Sequence, residues 1–134
     1  MREAMLSIVF GTVACRGGGN EAAPFDAALR QVVTDEKQLH VGELAEGILT
    51  GGPSDMALIQ LSAPAAAFDW NLHGHAGGTT MTINEELGVM KTTYAFTPSS
   101  QADWYLLVRN RNAALITVEV ELDLYGAMHW SGWQ

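Results

Sequence analysis

The chain has little of what usually announces a chemistry. Cys15 is its only cysteine, so no internal disulfide can form. Seven basic residues stand against 15 acidic ones, giving a formal net charge of −8, and the basic residues gather in no patch along the sequence. Such a balance makes phosphate backbones and anionic lipid surfaces poor partners, and nucleic acid is excluded as an expected ligand. No segment has the length of consecutive apolar residues that a membrane-spanning helix needs. A Gly-x-Ser-x-Gly elbow, a phosphate loop and a His-Glu-x-x-His pair are all missing. Gly17-Gly18-Gly19-Asn20 is followed by no Lys-Ser/Thr pair and reads as linker. The expectation is a non-enzymatic protein with no catalytic residue and no cofactor.

What is present begins at the N-terminus. Arg2 precedes a short apolar run from Met5 to Ala14, and Cys15 closes it. A basic start, an apolar stretch too short for a stable span and a small residue before the cysteine are the parts of an export signal. Thr12-Val13-Ala14-Cys15 resembles the lipobox of bacterial lipoproteins, which implies lipidation at Cys15 and an extracytoplasmic location in the periplasm or cell envelope, anchored through that lipid. Thr12 departs from the leucine usual there. An ordinary cleaved signal is one alternative, and a strand over the β-branched residues from Ile8 to Val13 is another. Arg16 to Pro24 is Gly-rich and polar, as a flexible tether would be.

Four segments follow from this reading: residues 1–14 as a signal-like segment, 15–24 as a tether, 25–38 as a helix or arm, and 39–134 as one domain. Phe25, Ala28, Leu29, Val32 and Val33 have a spacing compatible with a short amphipathic helix. Beyond it the period becomes two. Strands are expected over 39–44, 56–61, 67–73, 79–83, 89–97, 104–109 and 115–125, with turns at Gly51-Gly52-Pro53, Gly77-Gly78, Pro98-Ser99-Ser100 and Asn110-Arg111-Asn112. The fold class is therefore all-β, a single antiparallel sandwich of the jelly-roll or GOLD-like kind with about seven to eight strands. The last strand is the most amphipathic: Ile116, Val118, Val120, Leu122 and Leu124 alternate with Thr117, Glu119, Glu121 and Asp123. Arg109 to Ala114 is expected to join it to the preceding strand as a hairpin.

The segment Phe68 to His75 holds the best candidates for a site. In an extended chain Phe68, Trp70 and Leu72 share one face, and Asp69, Asn71, His73 and His75 the other. His73 and His75 can reach one zinc or copper ion from positions i and i+2, with Asp69 to complete or orient the site. The plainer reading is the wet side of a half-buried strand, because a metal needs third and fourth ligands and His40 and His129 are the remaining histidines. The six methionines are dispersed, Met5 in the signal-like segment, and most read as core filling rather than a copper site. Trp130 and Trp133 lie in a tail after the last strand, where they either fold back over an open sandwich edge or form a partner-binding surface.

Phe68 to Gly78, Tyr94 to Pro98, Asp103-Trp104-Tyr105, Val108 to Asn112 and Thr117 to Val120 together resemble bacterial extracytoplasmic relatives of the GOLD (emp24-like) β-sandwich. An aromatic strand leads there to an Asn-x-His-x-His sequence, and a Trp-bearing strand ends in Arg-Asn. The loop Ser99 to Ala102 lacks the glycine often seen before that Trp strand. The resemblance implies a binding or adaptor module that carries no catalytic residue, its partner a protein or a small-molecule ligand of unknown identity.

Overall fold

A computed structural model describes residues 5–8 and 30–134. Ten strands make up the described chain: β1 (Met5–Ile8), β2 (Gln31–Leu39), β3 (Leu44–Gly51), β4 (Met56–Ser62), β5 (Phe68–Ala76), β6 (Thr79–Val89), β7 (Lys91–Phe96), β8 (Ala102–Asn110), β9 (Ile116–Tyr125) and β10 (His129–Trp133). They form two five-stranded sheets, β1-β2-β9-β4-β7 and β10-β3-β8-β5-β6, with every pairing antiparallel. The all-β sandwich expected from sequence is what forms, with ten strands instead of seven or eight.

Binary patterning explains the layers. On β9 the aliphatic set from Ile116 to Leu124 is buried, and Glu119 and Glu121 are exposed. That strand lies at the centre of its sheet, paired to β2 and β4. Across the core, β8 lies at the centre of the other sheet and sends Trp104, Leu106 and Val108 inward. Phe68, Trp70 and Leu72 of β5 join them, and the Phe96 and Trp104 rings meet edge to face at 5.3 Å. Buried aromatic and aliphatic area of this kind is the main favourable contribution to a domain of this size.

Several expectations are corrected. Residues 31–39 are strand β2, not helix or arm, so the sandwich begins before residue 39. β2 pairs with β9 along its whole length, Val33 opposite Leu122 and Leu39 opposite Ile116. Long-range pairing of β-branched residues overrode the local helical spacing, and inward-facing Asp35 and Lys37 disguised the period of two. The strand expected over Leu39 to Leu44 is instead the end of β2 at Leu39, a turn over 40–43 closed by Glu43 N–H to His40 O (3.0 Å), and the start of the next strand at Leu44. Arg109 to Ala114 is no hairpin: β8 runs through Asn110, and the residues after it carry the chain from one sheet to β9 in the other. Met5–Ile8 of the signal-like segment pairs with β2, Met5 opposite Thr34 and Ile8 opposite Gln31. Cys15, the tether over 15–24 and residues 25–29 lie outside the described residues.

Candidate functional site

The outward face of the β10-β3-β8-β5-β6 sheet gathers the sequence candidates. Alternation along β5 turns Asp69, Asn71, His73 and His75 to this face, and the paired registers lay β8 and β3 beside them. One cross-strand row runs Ile48, Tyr105, His73, Thr82; the next runs Glu46, Leu107, Asn71, Glu85; a third joins Leu44, Arg109 and Asp69. A bulge between Leu72 and His73 adds one residue on β6 and re-aims the end of the face.

At its centre, His73 is buried while His75 is exposed. The His73 ring stacks on Tyr105 (centroids 5.4 Å, 19° between planes), and His75 meets both rings edge-on at 4.9 Å from Tyr105 and 5.2 Å from His73. Gly74, between the two histidines, packs directly on the Trp104 ring: a Cβ there would lie 2.7 Å from the ring carbons. His73 Nε2 sits 3.1 Å from Glu46 Oε2 and Nδ1 sits 2.7 Å from Asn71 Oδ1. Both neighbours are acceptors as placed, which suits an imidazolium, whereas a neutral ring needs the Asn71 amide turned over. Burial pushes the His73 imidazole below its ordinary value, Glu46 pulls it back up, and His75 lowers it further.

Asp69 does not take the part assigned to it. Its Oδ1 accepts the Gly88 N–H at 2.8 Å and its Oδ2 pairs with Arg111 Nη1 at 3.1 Å. The carboxylate beside His73 is Glu46, from β3, which sequence reasoning missed. Its outward position in the Leu44, Glu46, Ile48 alternation was readable, but its neighbour across two strands was not. Among the described residues no three His, Cys, Asp or Glu side chains come together as a metal-ligand group.

Trp130 and Trp133 fold back. β10 pairs with the β3 edge, and a bulge at Ser131, with Gly132 at φ +91°, turns both indoles to the same side, where they meet edge to face at 5.3 Å. Trp130 is buried against Gly47, whose missing side chain makes the slot for the indole. The partner-surface reading of this pair is thereby corrected, since Trp130 is spent on the core and Trp133 packs partly buried against it.

Asn110 anchors the loops at one end of the sandwich. Its Nδ2 donates to Leu39 O (3.0 Å), His40 O (3.1 Å) and Ala114 O (2.8 Å), and Asn112 Nδ2 reaches Ala67 O at 2.6 Å. The Arg-Asn end of the Trp strand is thus structural at Asn110. Arg109 and Arg111, flanking it, face a shallow dip of about 240 Å³ on the sheet face, with Leu44, Leu87 and Leu107 around it. The two arginines stand two residues apart in the sequence, and both line this dip.

No family model matches the chain, and no curated protein matches it. Among solved structures, the fold is similar to Aeromonas hydrophila PliG, a periplasmic inhibitor of g-type lysozyme. The TM-score is 0.55 at 8% identity, over 69% of this chain and 85% of that one. It is also similar to the Yersinia pseudotuberculosis-derived mitogen, with a TM-score of 0.52 at 14% identity over 71% of this chain and 85% of the other. Likeness at such identities is a likeness of fold.

Proposed function

We propose that this protein is a non-enzymatic, extracytoplasmic binding module whose partner is a protein, held at the membrane through a lipid on Cys15. The observation that carries the binding reading is the outward face of β3, β8 and β5. Leu44, Ile48, Tyr105 and Leu107 are interleaved there with Glu46 and Arg109 on a sheet paired on both sides of β8. Aromatic and aliphatic groups set among charges, on a surface that need not reorganise, suit protein recognition better than chemistry. Two of the neighbours in fold are an inhibitor of an enzyme and a mitogen, and the GOLD resemblance implies a non-catalytic module as well.

Photo-crosslinkable residues placed one at a time at Ile48 and at Thr93, in the full chain expressed in bacteria, test the binding reading. Discrete protein adducts from Ile48, on this face, and not from Thr93, on the opposite sheet, are expected; adducts from neither or equally from both would reject it. Fractionation of Cys15→Ser tests the tether. That variant should leave the membrane fraction or stay unprocessed, and unchanged processing and membrane recovery would reject lipidation. Processing at Cys15 removes residues 1–14, takes β1 off the sheet and leaves β2 as its edge.

A further inference from the structure

In a chain of net charge −8, the described basic residues are Arg30, Lys37, Lys91, Arg109 and Arg111, and two of these five line the same dip. Arg109 stands directly opposite Asp69 in the β5–β8 register, where a cross-strand ion pair would be the ordinary outcome. Asp69 is turned elsewhere. Its nearly buried carboxylate holds the Gly88 amide and Arg111, fixing Arg111 as one wall of the dip. The Arg109 side chain is exposed and makes no hydrogen bond or ion pair among the described residues. Leu44 is 48% and Leu87 63% exposed at the rim, so a free guanidinium opens beside bare aliphatic surface. Glu85, also lining the dip and exposed, does not pair with it.

We propose that this dip receives a carboxylate side chain flanked by an aliphatic one on the surface of the partner protein, the carboxylate meeting Arg109 and the aliphatic group covering Leu44, Leu87 and Leu107. The inference rests on the protein-binding reading above and names the chemistry of the partner. Charge complementarity selects the occupant: a planar guanidinium with no partner among the described residues matches a carboxylate bidentately, and the volume admits side chains rather than a large cofactor. A lysine on the partner would find Glu85 but would place its charge against Arg109 and Arg111.

The test is an amide-resolved NMR titration of the full chain with three capped dipeptides, N-acetyl-Leu-Glu-amide, N-acetyl-Leu-Gln-amide and N-acetyl-Leu-Lys-amide. The Glu probe should shift the amides of Leu107, Arg109 and Asn71 and bind about tenfold tighter than the Gln probe, the effect of one charge-assisted pair. Arg109→Gln should erase that preference without altering the melting temperature, and Arg109→Lys should keep part of it. Equal affinity for the three probes, preference for the Lys probe, shifts elsewhere on the protein, no shifts at all, or a Glu preference that survives Arg109→Gln would each overturn the proposal. Failure here with Ile48 adducts intact removes the carboxylate assignment alone; loss of the adducts removes the binding reading itself.

Discussion

Trp130 donates its indole N–H to Asp35 Oδ2 at 3.1 Å, joining β10 in one sheet to β2 in the other across 95 residues of sequence. The bond explains two residues at once. Asp35 faces inward from β2 opposite Val120, and the indole gives that carboxylate a donor. Trp130 in turn depends on Gly47 for space.

Gly47→Ala should therefore destabilise the domain by about 1–3 kcal/mol or more, because the added methyl collides with a ring fixed at its far end. Trp130→Leu in the same chain should recover part of that loss. Denaturant midpoints of the two single variants and the double variant check the coupling, and strictly additive losses would show that the ring does not occupy the slot.

Val120→Asp should unfold the domain or weaken it severely, whereas Glu121→Lys should stay within about 0.5 kcal/mol of the parent. The residues are neighbours on β9, but Val120 is 2% exposed and Glu121 faces solvent. Equal midpoints in urea would show that the strand is faced the other way.

How much of this was legible depended on whether neighbours in space were neighbours in pattern. The facing of β9 was readable because five aliphatic residues alternate without a break, and the facing of Asp69, Asn71, His73 and His75 because Phe68, Trp70 and Leu72 mark the buried side. β2 was misread since Asp35 and Lys37 occupy inward positions, and Asp35 makes sense only beside a tryptophan near the other end of the chain. Glu46 beside His73, and Asp69 set opposite Arg109, follow from strand order and register, which no local pattern encodes.

Asn110→Ala should cost about 2–4 kcal/mol, since three backbone carbonyls lose their donor amide in a nearly inaccessible place. The loss should appear in hydrogen exchange as opening of the 40–43 and 111–115 segments before the sheets. Uniform loss of protection across the domain would contradict a local anchoring role.

Stability should fall in mild acid through His73. Its folded value is depressed, so the unfolded chain takes up the proton first. The contribution is fully present above the ordinary imidazole value of about 6.5 and is lost as pH falls from there through the lower folded value. Melting temperatures of the parent and of His73→Gln across this range should diverge at neutral pH and draw together in acid. A parallel pair of curves would mean that His73 does not titrate differently on folding.

Nearly every link between successive strands crosses from one sheet to the other; among the described residues only β5 to β6 joins strands paired within the same sheet by a tight turn. A ribosome that has released residues up to 110 has made β2 and β4 but not β9, the strand that must lie between them. Half a chain is thus no half a domain. A sheet whose central strand comes after both of its neighbours in the chain closes only through pairings distant in sequence, which is the topology expected to fold slowly.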